Sequence, residues 1–493
     1  MRAPTLVSAP TLPSPLPPAV AVLLNEADAL PTALAASLSA AEAEWLAAER
    51  AAKQPLVRLV RYGAGHLYVL TVPAAKKDKP TTPHLTREAV RKLGHQLNSL
   101  LAADRVAALH IIRSDATAPD LALALAEGAA LSAYHFAPFK TKPETPAPVR
   151  LAELTVVGAA EADTRWLAAV LDGVFLARDL VNTPFSHQSA VQLAEQFSEA
   201  GQKAGFSVEI LDQPRIQTLK MGGLLAVNQG SPDPPTFSIL EYAPAGTEHD
   251  QPIVLVGKGV VFDTGGLSLK PTPNSMDFMK SDMAGGATVA GTLAALALAG
   301  VPRRVVGLVP ATDNRPGEAA FAPGDVLTMH DGQTVEITNT DAEGRLILAD
   351  ALSFAKRYNP ALVIDIATLT GSAAAAVGKE GIVLVGTAPD DVKQQLKAAG
   401  DAVHERLVEF PLWDEYKEQL KSDLADLKHY QPGAQAGHVS AAAFLEAFTA
   451  YPWLHLDIAG PSFLFAPDSY RGKGGSGTAV RLLAEFVREF VIE

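Results

Sequence analysis

Apolar and polar positions divide this chain into short runs suited to buried strands and longer stretches with helical periodicity. Residues 252–256 (PIVLV) are a continuous apolar run. That is the composition of a strand covered on both faces of a parallel sheet. Further strands are expected near 304–310, 334–338, 362–366 and 454–458, with helical patterns between them. One helix should run from Leu346 to about Arg357, and another over 478–490. Such alternation predicts an α/β domain with a mainly parallel central sheet. Nearer the N-terminus, strand candidates at 56–60, 67–72 and 106–112 alternate with helix candidates at 86–103 and 121–131. They predict a second, smaller α/β domain. A Pro/Lys-rich stretch, 139–148, reads as a surface loop near the boundary, and a helix over 162–180 as the link. The expected division is 1–158 for the N-terminal domain and 159–493 for the domain that carries the candidate chemistry.

Two segments carry that chemistry. Residues 339–346 read NTDAEGRL, after the β-branched run 334–338 (TVEIT). Residues two apart in an extended segment point the same way, so Asp341 and Glu343 are expected to face one pocket. Paired carboxylates repel unless a proton or a cation separates them, and a divalent metal is the simplest answer. Arg345 adds an anion-binding group beside them. Residues 258–287 read KGVVFDTGGLSLKPTPNSMDFMKSDMAGGA. Lys258 and Asp263 are expected in the loop at the carboxyl end of the 252–256 strand, where open α/β sheets bind ligands. Asp282 stands just before small residues that read as the start of a closely packed helix.

The segments VGKGVVFDTGGLSLK, MKSDMAGGA and NTDAEGRL resemble the signature segments of the leucyl aminopeptidases, the two-metal cytosol exopeptidases. The resemblance runs from about Ala177 to the C-terminus and takes in ARDLVNTP, MGGLLAVNQGS and HLDIAG. It implies metal ligands at Lys258, Asp263, Asp282, Asp341 and Glu343, with Asp263 and Glu343 bridging two divalent ions per subunit, Zn or Mn. It implies catalytic roles for Lys270 and Arg345. Lys270 would stay charged and polarise the scissile carbonyl; Arg345 would hold a bicarbonate ion. It also implies a hydrophobic pocket for the first side chain at Met279, Thr368, Gly371, Ala459 and Ser462. Ser462 stands where some relatives carry a larger apolar residue, which leaves the preference among apolar side chains open. Asn228 stands where glycine is frequent.

The residue types suit that chemistry. Carboxylates take hard or borderline divalent ions. A lysine ligates only as the neutral amine, so its pKa must fall. Two ions close together can share a hydroxide and stabilise a tetrahedral intermediate. The function implied is release of Leu or other apolar residues from peptides with a free N-terminus. The family assembles as hexamers, and a homohexamer is expected from the resemblance alone.

Composition narrows the alternatives. The chain has 493 residues, 48% of them hydrophobic, enough for two or three domains with sizeable cores. It has no cysteine, which excludes disulfides and fits a cytoplasmic protein. A net charge of −13 argues against bulk nucleic-acid binding. No uninterrupted apolar run approaches the length of a membrane span, so no membrane association is expected. The Pro-rich N-terminus does not read as a secretory signal. A short basic run, Lys76-Lys77-Asp78-Lys79, reads as a solvated loop. Gly472 to Gly477 satisfies G-x-G-x-x-G, but too little chain follows for a dinucleotide-binding unit, so it reads as a turn before a helix. His438 and His455 read as structural. The competing functions are another two-metal hydrolase, such as a phosphatase with Lys270 and Arg345 on the phosphate, and a non-hydrolytic DNA-binding role.

Overall fold

The computed structural model describes residues 2–61, 65–73, 82–142 and 148–491. The basic run at 76–79 and part of the 139–148 stretch lie outside the described residues. The chain divides into two compact units: one holds residues 1–172 with 467–472, the other 173–466 with 473–493. The helix Glu161–Asn182 runs from one unit into the other.

The smaller unit is built on a six-stranded sheet in the order Thr5–Ala9, Glu153–Val157, Ala108–Arg113, Ala19–Leu24, Gly65–Thr71, Leu56–Arg61. Neighbours are parallel except the last pair. Ala19–Leu24 is buried along its whole length, as a central strand with partners on both sides must be. Sequence patterning found three of the six strands. It passed over Thr5–Ala9 and Ala19–Leu24, which stand beside prolines in a Pro-rich stretch, and Glu153–Val157. The helices Pro83–Ala103 and Pro119–Ser132 each begin with a proline in the first turn, where its missing N–H costs nothing. A short 3₁₀ turn, Ser469–Arg471, belongs to this unit, and Tyr470 Oη donates to Glu88 Oε2 at 2.7 Å.

The larger unit carries a nine-stranded sheet. Its path runs Leu407–Glu409, Ile382–Gly386, Trp453–Asp457, Leu362–Ala367, Ile253–Gly257, Val305–Asn314, Thr236–Tyr242, Ser207–Leu211, and Gly259–Asp263 pairs with the far end of Val305–Asn314. The four middle strands are parallel; antiparallel pairs flank them on both sides. The mainly parallel α/β reading therefore holds. The strand expected at 334–338 is shorter, Thr334–Glu336, and lies outside the central sheet. It joins Val326–Thr328 and Leu427–Lys428 in a small sheet of three.

Two helices fix the carboxyl ends of the middle strands. Glu343–Ala355 is buried throughout and packs where Val254, Val256, Val306 and Leu308 point. Ala284–Ala299 lies on the other face, with Val289 and Leu293 against Gly307. Its composition is apolar all round, as expected of a helix enclosed by protein. With the 3₁₀ turn before it, the stretch Met276–Ala299 has the length and hydropathy of a membrane span, yet most of it is buried in this unit. Close approach requires glycine at its start: a Cβ on Gly285 would lie 2.0 Å from the carbonyl of Ile366.

Candidate metal centre

The expected ligands come from four places along the chain and meet at the carboxyl ends of the middle strands. Lys258 sits between Ile253–Gly257 and Gly259–Asp263, with its N–H on the Ile366 carbonyl (3.0 Å) and its carbonyl accepting from Gly286 (2.9 Å). Asp263 ends a strand rather than standing in a loop. Asp282 follows the 3₁₀ turn Met276–Ser281 and precedes the buried helix. Asp341 lies in the 3₁₀ turn Thr340–Ala342, and Glu343 is the first residue of the next helix.

That last pair corrects the sequence argument. Residues 340–343 are not extended, so strand alternation is not what aims the two carboxylates together. A 3₁₀ turn running into a helix does it, and one ligand atom each of Asp263, Asp341 and Glu343 lies within 4.8 Å of the others. The helix start also favours negative charge at Glu343. Gly344 leaves room for the lysine, because a Cβ there would lie 2.5 Å from Lys258 Cε.

Charges alternate through the cluster. Lys258 Nζ lies 2.7 Å from Asp282 Oδ2 and 3.0 Å from Glu343 Oε1, and donates to the Thr368 carbonyl at 3.2 Å. Lys270 Nζ lies 2.9 Å from Asp263 Oδ2 and also contacts Asp341 Oδ1. Asp263 Oδ1 accepts from Gly265 N–H (2.8 Å) and from Asn314 Nδ2 (2.9 Å). Asp282 Oδ1 accepts from Thr368 Oγ1 at 2.7 Å.

Titration follows from this crowding. Burial pushes Asp282 up to about 8, with Asp263 and Glu343 adding to it against Lys258. Burial pushes Asp341 up to about 6, with Glu343 assisting against Lys270. Asp263 is raised by burial and by Glu343. Glu343 is lowered, because Lys258 and Lys270 outweigh its burial. Burial acts to lower Lys258, but the carboxylates of Asp282, Glu343 and Asp263 outweigh it and hold the amine above its ordinary value. Lys270 is raised in the same way, against its burial, chiefly by Asp263. Without a cation the cluster thus keeps protons that a metal would have to displace.

The donor set fits a hard or borderline divalent ion. Asp282 Oδ2, Asp341 Oδ1 and Glu343 Oε1 are buried without a hydrogen-bond partner and are paired with the ammonium groups of Lys258 and Lys270. Four clustered carboxylates against two ammonium groups leave an excess of negative charge that a further cation would balance.

Arg345 is buried beside the cluster. Its Nη1 donates to the His429 carbonyl at 2.7 Å, its guanidinium stands 5.7 Å from the Tyr430 ring centre, and its Nε has no hydrogen-bond partner. Burial pushes it down to about 10.

The expected pocket residues divide. Thr368 touches the cluster through Asp282, and the Met279 carbonyl accepts from Asp282 N–H at 3.2 Å. The Ala459 N–H donates to Asp457 Oδ1 at 3.1 Å, and the same oxygen accepts from Leu369 N–H. Gly371 is exposed at the start of the helix Gly371–Val377. Ser462 is buried, its N–H on the Ile458 carbonyl and its own carbonyl accepting from Ser476. Among the described residues, neither of these two hydrogen-bonds to the acidic cluster.

Sequence reasoning missed Asn314, His429 and Asp457. Asn314 and Asp457 each end a fully buried strand at the sheet's carboxyl edge, and that position was the available signal. His429 stands in an irregular segment and carried none. Its Nε2 lies 2.8 Å from the Asn339 carbonyl, so the imidazole braces the NTDAEGRL segment while its own carbonyl holds Arg345.

The chain is similar to known proteins along most of its length. Residues 175–484 match the model of the cytosol aminopeptidase family, catalytic domain. A probable cytosol aminopeptidase of Chlorobaculum tepidum is 47% identical over 386 residues, covering 75% of each chain. One from Roseiflexus castenholzii is 40% identical over 449 residues, covering 89% of this chain and 90% of the relative. Among solved structures, the bottromycin maturation enzyme BotP in complex with Mn superposes with a TM-score of 0.81. It is 31% identical, and the match covers 96% of this chain and 99% of that one.

Proposed function

This chain belongs to the cytosol aminopeptidase family, and on that premise we propose that its acidic cluster holds two divalent ions and releases Leu or other apolar residues from the free N-termini of peptides. The protein is a metal-dependent exopeptidase. The finer reading rests on one observation: carboxylates from three segments converge on one site, and three of their buried oxygens, without a hydrogen-bond partner, lie against the ammonium groups of Lys258 and Lys270.

In this reading Lys258, Asp263, Asp282 and Glu343 hold one ion, and Asp263, Asp341 and Glu343 the other. Zn and Mn both suit the donors, and the Mn complex of the solved relative favours trying Mn first. Ions bound there supply Lewis acidity and an activated water. The chain's own groups do the rest. Lys258 gives up a proton to become a ligand. Lys270 keeps its charge and sets an ammonium group beside the oxygen of the scissile carbonyl as negative charge develops there. Arg345 offers an unpartnered Nε to a small anion such as bicarbonate. Met279, Thr368, Gly371, Ala459 and Ser462 receive the first side chain, and Met279 adapts to several apolar shapes. The same reading extends to a homohexamer acting on peptides in the cytoplasm, in line with the names of the relatives.

A panel of aminoacyl p-nitroanilides with an N-acetylated control tests this, run after chelation and after adding back Mn or Zn. Activity should vanish on chelation, return with metal, require the free amine and be highest for apolar residues. Cleavage of the acetylated control at an equal rate would remove the exopeptidase reading.

A further inference from the structure

Asn314 closes the strand Val305–Asn314, in register with Asp263 on its neighbour. Its backbone is pinned there: its carbonyl accepts from both Thr264 N–H (2.9 Å) and Thr264 Oγ1 (2.8 Å). The side chain is fully buried and points into the acidic cluster. Its amide nitrogen donates to Asp263 Oδ1 at 2.9 Å and to the Thr340 carbonyl at 3.0 Å, and lies 3.4 Å from Glu343 Oε2. One NH₂ group thus serves three acceptors, two of them on carboxylates that repel each other. Its Oδ1 is buried without a hydrogen-bond partner. Turning the amide over would aim a carbonyl at both carboxylates, so charge fixes its orientation. Gly266 makes the room, since a Cβ there would lie 2.8 Å from Asn314 Oδ1.

The consequence falls on the free oxygens. With Oδ1 of Asp263 held by Asn314 and Gly265, only Oδ2 turns toward Lys270. With Oε2 of Glu343 beside Asn314, Oε1 turns toward Lys258. We propose that Asn314 is a positioning residue: one neutral amide sets the spacing and rotation of Asp263 and Glu343, and so decides whether two ions bind as a pair. The inference rests on the two-metal reading above, in which those two carboxylates are shared. Residues that orient metal ligands in this way commonly govern affinity by about ten- to a hundred-fold.

The test is calorimetric titration of metal-free wild type and Asn314→Leu with Mn(II), with electron paramagnetic resonance of the loaded proteins. Leucine fills similar space without a donor. The metal-free variant should melt near the wild type and bind the pair about ten- to a hundred-fold more weakly. The signal of coupled Mn ions should give way to that of isolated Mn. Wild-type affinity and an intact pair signal in folded Asn314→Leu would overturn the proposal. If the leucine variant does not fold, the smaller Asn314→Ala goes through the same titration. Failure of both to fold without metal would make Asn314 a framework residue and overturn it equally. A wild type that binds one ion or none would instead sink the two-metal reading, a result that needs no variant to detect.

Discussion

Lys258 shows how one residue can stabilise two different states of the same site. Without metal it is an ammonium ion between Asp282 and Glu343, held above its ordinary pKa. As a ligand it must be neutral, so metal binding should release protons, and buffers of different ionisation enthalpy would reveal them in calorimetry. Glu343→Gln keeps the shape but removes a charge that faces Lys258. It should abolish stoichiometric metal binding together with turnover, and full metal content by elemental analysis would refute the ligand assignment. Lys270→Ala should retain metal and lose about 10²- to 10³-fold in kcat, the scale of removing one preorganised charge-stabilising donor. His429 sets a pH limit. Burial pushes it down to about 4, with Arg345 assisting, so the folded protein holds it neutral. The unfolded chain takes up its proton near pH 6.5, so this contribution is complete above that pH and is lost as the pH falls toward 4. The span corresponds to roughly 3 kcal/mol. His429→Asn can still donate to the Asn339 carbonyl but cannot titrate. Urea unfolding should show a shallower loss of stability in the variant between pH 6.5 and 4, and parallel curves would refute the buried neutral imidazole. Asn228 is explained by packing: its Nδ2 donates to the Asp233 carbonyl (2.8 Å) and to Thr312 Oγ1 (3.0 Å).

At the scale of elements, two glycines of the helix region separate steric need from backbone preference. Gly285 meets the Ile366 carbonyl, whereas Gly300 ends the same helix at φ +71° with open space around it. Gly285→Ala must push helix and sheet apart, an overpacking cost of about 1–3 kcal/mol or more. It should also disturb Lys258, whose N–H shares the Ile366 carbonyl. Gly300→Ala meets only left-handed strain, about 1–2 kcal/mol, and should leave metal affinity unchanged. Equal effects of both on metal affinity would refute the account of Gly285. The same elements show how far patterning reads. The buried runs at Ile253–Gly257 and Leu362–Ala367 and the helix Glu343–Ala355 were plain, because each is longer or more apolar than any turn. The strand Gly259–Asp263 is hidden from patterning, because its end glycine and aspartate shorten the apolar run to three residues while its partner is the distant strand Val305–Asn314.

For the whole molecule, metal should act as a ligand of the native state alone. Adding Mn or Zn at about a hundred times Kd should stabilise the fold by about 2.7 kcal/mol, seen as a rise in Tm that chelator reverses. An unchanged Tm would mean that the buried cluster holds no ion under those conditions. The homohexamer is read from family membership, and light scattering decides it; a monomer at working concentration with full activity would remove it.

The sequence by itself determined the family, the α/β class and the types of residue in the site, because signature segments and buried apolar runs are local properties. Tertiary structure decided the rest. Sheet order brings Asp263 and Asn314 into register, a 3₁₀ turn rather than a strand turns Asp341 and Glu343 together, and His429 reaches back to the Asn339 carbonyl while its own carbonyl holds Arg345. The strand register and the His429 contacts join residues tens of positions apart, and no local pattern records such a distance; the turn at Asp341 and Glu343 is local, but its conformation is set by the packing around it.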